Sequence, residues 1–423
     1  MATLARWLTQ GGGSLPILTE KMNITPEDIG GHRLILGDCR EVMATMPENS
    51  IDAIVCDPPY GMSAEPDASE VLEHWLAGDD YHHGGGGFMG KKWDSFVPGP
   101  SIWLEAARVL KPGGWCVAFS STRTSDLLGI AMRLAKLERR DTCAWIYYSG
   151  FPKSLDISKA IDSKHGAERE ADDYTGPNNK NNVYGSGMGG GVTQRKGAPS
   201  TKDAQRFAGY GTALKPSHEP ALVFRKPLCG TYAENALEWG TGGLNIDRAR
   251  IAYGDTTQPG PSGAVEPMTV SPREFMRGLA GEVGEPFECT PHALGRWPAN
   301  VYATPKASTA ERNAGCEQLT PITGAEATNR TEGTAGHTSS QVFNFHPTLK
   351  PQALLRYFVR LVTPPAIPGN PPPVILDPFA GSGSLACAAA AERVQSISIE
   401  IDPDYYRIAR ARIERATRQG DLF

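Results

Sequence analysis

The sequence predicts an α/β fold with a doubly wound, mostly parallel sheet. Short apolar runs alternate with segments of helical spacing in residues 32–150, and the same alternation returns in residues 346–423. The run Ile51–Cys56 is apolar enough for a strand that is buried on both faces, as in a parallel sheet. A glycine-containing turn at 377–384 leads from one predicted strand into a helix.

The first α/β segment is bounded by clear stop signals. Pro58 and Pro59 end the strand at Ile51–Cys56, and Lys111-Pro112-Gly113-Gly114 ends a helix. Residues 61–98 are rich in loop-forming residues. Strands are predicted at 33–37, Ile51–Cys56, 115–120 and 141–148, and helices at 39–46, 101–110 and 123–136.

The second α/β segment begins at His346. We predict a helix that ends near 362, a proline-rich connector at 364–373, strands at 374–376 and 395–400, and helices at 385–392 and 403–417. The domain prediction is therefore one α/β domain split in sequence. Its parts are an N-terminal arm (1–31), a first half (32–150), an insertion (151–345) and a second half (346–423) with a tail (418–423).

The composition excludes several classes of protein. Hydrophobic residues make up 40% and charged residues 21% of the 423 residues, so a packed core is expected and global disorder is excluded. The net charge of −5 excludes a globally basic nucleic-acid coat but not a local basic patch. No stretch predicts a membrane span or a signal peptide. The eight cysteines form no C-x-x-C pair, so we expect free thiols in a reducing, cytoplasmic compartment and no metal site.

The turn Asp377-Pro378-Phe379-Ala380-Gly381-Ser382-Gly383-Ser384 is a candidate ligand loop. Its glycines allow the backbone to approach a ligand closely, and the helix that follows offers free N–H groups. Glu400 ends the next predicted strand, where a carboxylate can accept hydrogen bonds from ribose hydroxyls. Ala386 stands where a complete G-x-G-x-x-G would have glycine, which disfavours a nicotinamide or flavin dehydrogenase.

A second motif, Asp57-Pro58-Pro59-Tyr60, follows a predicted strand. Asp57 supplies a carboxylate acceptor, the proline after Pro58 fixes the direction of the Pro58 carbonyl, and Tyr60 offers a flat stacking surface. Two acceptors beside an aromatic ring can hold the exocyclic amine of a planar base. A structural turn is the alternative interpretation of this tetrapeptide.

The two motifs, in this order, resemble those of the β group of DNA amino-methyltransferases. Leu36-Gly37-Asp38-Cys39 and His346-Pro347-Thr348-Leu349-Lys350-Pro351 match as well, and phrases such as GYGTALKPSHEP in the insertion are similar to phage and prophage methylases. The resemblance implies a class I S-adenosylmethionine-dependent methyltransferase fold in circularly permuted motif order. It also implies an inserted target-recognition region, association with the nucleoid, and a phage or restriction-modification context.

The resemblance also implies roles for individual residues. Asp57, Pro58, Pro59 and Tyr60 would hold a target base that is flipped out of duplex DNA. S-adenosyl-L-methionine would bind to Asp38, Cys39, Thr348, Lys350, Asp377, Phe379, Ala380, Gly381, Ser382, Gly383, Ser384 and Glu400. Within that set, Glu400 would take the ribose hydroxyls, Asp38 the adenine amine, and Thr348 and Lys350 would lie near the methionine carboxylate.

The implied activity is methylation of adenine at N6, since aspartate at the first motif position is commoner among adenine enzymes. Methylation of cytosine at N4 is the nearest alternative. RNA and protein-glutamine methyltransferases use a similar tetrapeptide but place the cofactor motif first. A non-catalytic DNA-binding module that retains the fold is a further alternative.

Two other segments suggest interactions with macromolecules. Residues 190–226 carry a local excess of positive charge, so Arg195, Lys196, Lys202, Arg206 and Lys215 are candidate contacts to DNA phosphates; a solvated charged loop is the alternative. The ending Gln419-Gly420-Asp421-Leu422-Phe423 resembles the peptide by which bacterial proteins dock on the replication sliding clamp. Many relatives of this group dimerise, which makes a homodimer a further expectation.

Overall fold

The computed structural model describes residues 25–84, 86–87, 92–150, 154–169, 171–172, 195–258, 268–270, 287–289, 292–328 and 341–420. Most of the predicted arm (1–31) and the end of the tail (421–423) lie outside these residues. The clamp-binding prediction therefore concerns a segment of which only the first two residues, at the end of the last helix, are described.

The elements alternate along the chain as the sequence predicts. The strands are β1 (Glu27–Ile29), β2 (His32–Leu36), β3 (Ile51–Cys56), β4 (Leu110–Phe119), β5 (Glu138–Ile146), β6 (Ala171–Asp172), β7 (Arg195–Lys196), β8 (His218–Arg225), β9 (Met268–Val270), β10 (Phe287–Cys289), β11 (Val301–Ala303), β12 (Ile322–Thr323), β13 (Gln341–Val342), β14 (Val374–Asp377) and β15 (Gln395–Glu400). The helices are α1 (Cys39–Thr45), α2 (Ala68–Ala77), α3 (Pro100–Val109), α4 (Ser125–Leu134), α5 (Ile157–Lys164), α6 (Lys202–Arg206), α7 (Tyr232–Trp239), α8 (Ile246–Ala249), α9 (Thr309–Asn313), α10 (Gly324–Thr328), α11 (Gln352–Val362), α12 (Ser384–Ala391) and α13 (Pro403–Gly420).

Nine strands form the central sheet, in the order β1-β2-β15-β14-β3-β4-β8-β5-β11. The five consecutive strands from β2 to β4 are parallel, whereas β1 and β8 run antiparallel to β2 and β4. The strand order reverses between β14 and β3, so their carboxyl ends form the switch point at which doubly wound sheets bind ligands. The predicted α/β class is confirmed.

Two groups of helices cover the sheet. On the β3 and β4 side, Val42 of α1, Trp103 of α3 and Met132 of α4 join one buried apolar cluster with the strands. Helix α12 packs against both α11 and α13, and Phe358 of α11 meets Phe119 of β4 edge to face at 5.5 Å. Burial on both faces explains why β3 carries no exposed residue.

Two local predictions differ from the structure. The strand predicted at 115–120 already begins at Leu110, because residues 111–114 form an irregularity in the pairing with β3 rather than a separate turn. The region predicted as loop-rich, 61–98, contains α2. Asp67 caps this helix at its start, Gly78 ends it in the left-handed region, and Val71 and Trp75 bury one face at a spacing of four residues.

The structure divides the predicted insertion. A larger compact unit forms within Met1–Trp145, Glu219–Pro321 and Phe343–Phe423, and a smaller one within Ile146–His218 and Ile322–Val342. Much of the predicted insertion (151–345) thus packs with the α/β domain, because the apolar β8 pairs with β4 and becomes part of the central sheet. The sequence signal for this is the run Ala221-Leu222-Val223-Phe224, which suits a strand buried on both faces.

Within the described residues, no helix is long and apolar enough to cross a membrane, and no group of three His, Cys, Asp or Glu residues could hold a metal ion. Seven of the cysteines in the described part of the chain are free; Cys229 is exposed, Cys387 is half-buried and the other five are buried.

A matched pair of leucines tests the place of β8 in the core. Leu222 of β8 is fully buried, whereas Leu237 of α7 is 87% exposed. Leu222→Ala should lower the free energy of unfolding by about 2–5 kcal/mol, and Leu237→Ala should change it by less than about 0.5 kcal/mol. Calorimetric melting of both variants checks this. Equal melting temperatures for the two would contradict the assignment of β8 to the core.

Candidate functional site

Four carboxylates lie at one edge of the sheet. Asp38, Glu400, Asp377 and Asp57 stand at or just after the ends of β2, β15, β14 and β3, which are consecutive parallel strands. Because the carboxyl ends of parallel strands meet at the same edge, the structure brings together the predicted base motif and the predicted cofactor residues. Their distance in sequence does not separate them in space.

Three side chains hold the segment that follows β3 in place. The Asp94 carboxylate accepts hydrogen bonds from the N–H groups of Tyr60 (2.6 Å) and Gly61 (3.2 Å), and the Thr124 hydroxyl donates to the Tyr60 carbonyl (2.7 Å). The Tyr60 hydroxyl donates to Oε2 of Glu219, at 3.0 Å. Tyr60 is thus fixed at both its backbone and the tip of its ring, which suits a stacking surface.

Lys350 joins Asp57 to Glu219. Its Nζ lies 2.6 Å from Asp57 Oδ2 and 3.3 Å from Glu219 Oε2, and its side chain is only 5% exposed. Tyr60 and Phe119 contribute ring faces with centroids 5.1 and 5.0 Å from the same Nζ. The other carboxylate oxygen of Asp57, Oδ1, is buried and has no hydrogen-bond partner among the described residues.

The charges of this cluster depend on one another. Burial raises the pKa of Asp57, and the Lys350 ammonium offsets only part of that effect. Burial alone would lower the pKa of Lys350, but its two carboxylate neighbours outweigh burial and raise it. For Glu219, burial is outweighed by Lys350 and Lys306, so its pKa is lowered. The three groups are therefore coupled: the two carboxylates stabilise the buried ammonium, and the ammonium opposes protonation of Asp57.

Lys350 has two partners in the structure that the resemblance does not name. Its ammonium is bound to Asp57 and Glu219. The physical reason is burial, since a buried cation needs carboxylate partners and these two supply them. A contact of Lys350 with the cofactor stays a prediction.

The glycine turn is braced by Glu400, His346 and Arg412. Glu400 Oε2 accepts the N–H of Gly381 at 2.6 Å, and burial raises the pKa of this carboxyl to about 7. Gly381 has φ +52°, and a Cβ there would lie 2.8 Å from Nε2 of His346. The buried Arg412 donates to the carbonyl and hydroxyl of Ser382 and to the hydroxyl of Ser384.

The other predicted cofactor residues surround this turn. Asp377 is buried, which raises its pKa to about 8, and it accepts the N–H of Phe379. Asp38 caps α1 by accepting the N–H groups of Arg40 and Glu41. Cys39 is buried, with its pKa raised to about 12, so the thiol is neutral. Ala380, Ser382, Gly383 and Ser384 are buried, whereas Phe379 and Thr348 are half-buried.

Sequence reasoning missed Asp94, Glu219, His346 as a packing partner of Gly381, and Arg412. For Arg412 a weak signal exists, because it lies at helical spacing from the apolar residues Ile408 and Ala409, on the face of the last helix that is buried. Asp94 lies in a polar segment whose local sequence does not distinguish it from solvated residues. Glu219 lies in the phrase GYGTALKPSHEP, but the phrase does not indicate which of its residues acts.

All five predicted DNA-contacting residues lie in the smaller unit. Lys202 and Arg206 are exposed on α6, and Lys215 is exposed while its Nζ donates to the Tyr148 carbonyl at 2.8 Å. Arg195 and Lys196 form β7, which pairs with β6. Their contact with DNA stays a prediction.

Comparisons with known proteins add the family. The sequence profile of a family described as DNA methylase, of the N6/N4 methyltransferase type, matches residues 51–411. A DNA adenine methyltransferase of Escherichia coli K12, YhdJ, is 38% identical over 72 residues, which are 17% of this chain and only 22% of YhdJ.

Solved structures show weaker likeness. The PvuII DNA methyltransferase, which is cytosine-N4-specific, has 14% identity and a TM-score of 0.43, with 92% of each chain covered. A DNA modification methylase candidate of Thermus thermophilus, TTHA0409, in complex with S-adenosyl-L-methionine, has 17% identity and a TM-score of 0.37, covering 91% of this chain and 96% of that one. The family assignment rests on the profile match over most of the chain. With both motifs at the switch point of a doubly wound sheet, the chain belongs to the N6/N4 DNA methylase family, with the class I methyltransferase fold.

Proposed function

We propose that this protein transfers a methyl group from S-adenosylmethionine to N6 of adenine in duplex DNA. The observation that carries the proposal is the buried Oδ1 of Asp57, an acceptor without a partner among the described residues, at the switch point beside the glycine turn. A buried acceptor of this kind costs free energy unless a ligand donates to it. An exocyclic amine of a base is a suitable donor.

The residues at the sheet edge fit the cofactor. Helix α12 begins at Ser384 after Gly383, which has no side chain to cap the first N–H groups, so those donors suit a carboxylate. Glu400 and Asp38 supply carboxylates for hydroxyl and amine groups. When bound, S-adenosylmethionine supplies an electrophilic methyl group on a sulfonium.

The base would be held by Asp57, Pro58 and Tyr60. Asp57 Oδ1 and the Pro58 carbonyl accept the two amine hydrogens, which directs the nitrogen lone pair away from both acceptors. Because the amine is inside a duplex, the base must first be flipped out, at a cost of a few kcal/mol. Stacking on Tyr60 would offset part of that cost, by about 1–3 kcal/mol.

Adenine is preferred over cytosine on the resemblance of the motif, whose first residue is Asp57. The matched segment of YhdJ, an adenine enzyme, supports the same choice but covers little of either chain. Cytosine N4 is the second candidate, since it also presents an aromatic amine beside a ring nitrogen. Binding of the duplex is assigned to Lys202, Arg206, Lys215 and their neighbours in the smaller unit.

Modification mapping tests the proposed function. Expressed in a host without DNA methylation, the protein should leave N6-methyladenine in one short sequence motif, read by a method that also detects N4-methylcytosine. Asp57→Ala should abolish the mark, because the amine loses its carboxylate acceptor. N4-methylcytosine would overturn the choice of base, and absence of both marks from a folded, cofactor-binding protein would overturn the reaction.

The glycine turn gives a prediction for cofactor affinity. In Gly381→Ala the new Cβ meets His346, which stacks on Trp93 and packs against Tyr405 and cannot yield, so the turn must shift. We expect S-adenosylmethionine to bind about tenfold more weakly or worse, measured by calorimetry. Gly369→Ala is the matched control, because Gly369 also has positive φ but nothing lies within 4 Å of its Cβ position. Equal affinities of the two variants would contradict this account.

The raised pKa of Glu400 gives a pH dependence. The ionised carboxylate accepts hydroxyl hydrogens and its protonated form does so less well, so affinity for S-adenosylmethionine should be highest above about pH 8 and fall as the pH drops through about 7. Calorimetric titration from about pH 5.5 to about 8.5 measures this, a window that brackets the raised pKa. Glu400→Gln should bind more weakly and lose the dependence; a variant that kept it would show that another group titrates.

A further inference from the structure

In the cluster of Asp57, Lys350, Glu219 and Tyr60, the resemblance assigns no role to Glu219 and does not name the contacts of Lys350 with Asp57 and Glu219. Glu219 is the second residue of β8, and its Oε2 receives both the Tyr60 hydroxyl and the Lys350 ammonium. Lys350 in turn binds one oxygen of Asp57 and leaves the other without a partner among the described residues. The contacts therefore run in one chain from β8 to the two residues that would hold the base.

The geometry of Lys350 leaves little freedom. Its side chain is 5% exposed, and the rings of Tyr60, Phe119 and Trp145 lie 5.0–5.8 Å from its Nζ. A buried ammonium that lost its carboxylate partners would be strongly destabilising, so the aromatic walls and both carboxylates keep it in place. The ion pair between Lys350 and Asp57 fixes the orientation of the Asp57 carboxylate.

We propose that Lys350 and Glu219 are positioning residues for the reaction. Lys350 holds Asp57 ionised through Oδ2, so that Oδ1 stays an acceptor for the target amine. Glu219 holds the Lys350 ammonium and the Tyr60 hydroxyl in place. This inference rests on the proposed function and deepens it, because it names the groups that set the charge and orientation of the base-binding carboxylate.

The charges of Lys350 and Glu219 should shift the pKa of Asp57 in opposite directions. The titratable groups that face Asp57 are Lys350, Glu219, Tyr60, Asp377 and Cys56, and Lys306 lies 3.9 Å from Glu219. Of these, Lys350 supplies the positive charge that lowers the pKa of Asp57, whereas the negative charge of Glu219 raises it. Replacing each residue by a neutral glutamine separates the two effects.

The test measures the single-turnover methylation rate against pH, on DNA carrying the mapped motif. The rate should fall on the acid side as Asp57 becomes protonated. Lys350→Gln should move this acid limb to higher pH by about one pH unit or more, which makes the rate about tenfold lower on the limb. Glu219→Gln should move it to lower pH. Lys306→Gln, at a half-exposed lysine, is the matched control and should move it much less.

If Lys350 and Glu219 only stabilised the fold, replacing them would slow methylation at every pH without moving the acid limb of the pH profile. Lys350→Arg keeps the positive charge and should keep the acid limb near its original pH; it also serves if Lys350→Gln does not fold. Shifts of Lys350→Gln and Glu219→Gln in the same direction, or no shift in either, would overturn the proposal.

A second measurement separates this inference from the proposed function. The infrared band of the protonated Asp57 carboxyl, taken as the difference between each protein and its Asp57→Asn counterpart, can be titrated without cofactor or DNA. Its midpoint should move up in Lys350→Gln and down in Glu219→Gln. If the two midpoints shift in opposite directions but the protein methylates neither adenine nor cytosine, the roles of Lys350 and Glu219 are supported and only the proposed reaction is overturned. If the midpoints do not move in an active enzyme, only this inference is overturned.

Discussion

Two strands that are far apart in the chain, β3 and β14, lie side by side in the middle of the sheet. Ile375 and Leu376 pair with Ala53 and Ile54 in parallel register. The buried carboxylate of Asp52 strengthens the junction, since it accepts the N–H of Val374 at 2.8 Å and pairs with Lys111. Everything proposed for the site follows from this pairing, because it sets the ends of both strands next to each other.

The same pairing creates an electrostatic difficulty. Strand ends that meet at one edge bring Asp57, Asp377 and Glu400 into a buried region, and burial raises the pKa of each. Different groups offset the cost of burying these carboxylates. Asp57 has a buried ammonium, whereas Glu400 and Asp377 have backbone N–H donors. Asp57 is therefore the carboxylate of this edge whose charge is set by a removable side chain, and the other two depend on the fold of the turn.

Those parts of the fold that depend on local patterns are predictable from the sequence. The strands Ile51–Cys56 and 395–400 have the bounds that the sequence predicts, because apolar runs and proline or glycine stops are local signals. The two motifs are recognisable because their residues are contiguous. The place of Glu219 is not predictable, since its meaning depends on the antiparallel pairing of β8 with β4, whose partner residues are far away in sequence. The sequence singles out Lys350, but its partners follow from burial, which sequence spacing does not reveal.

The position of Glu219 also bears on how recognition and reaction are connected. The chain leaves the larger unit after Trp145, at the end of β5, and returns to it at Glu219, near the start of β8. Since β5 and β8 are neighbours in the sheet, a segment can be inserted between them without breaking the order of the strands. Glu219 is thus the first residue of the larger unit after that segment, and it contacts both Tyr60 and Lys350. If the inserted segment contacts DNA as proposed, the backbone joins it directly to the carboxylate that holds the base-stacking ring.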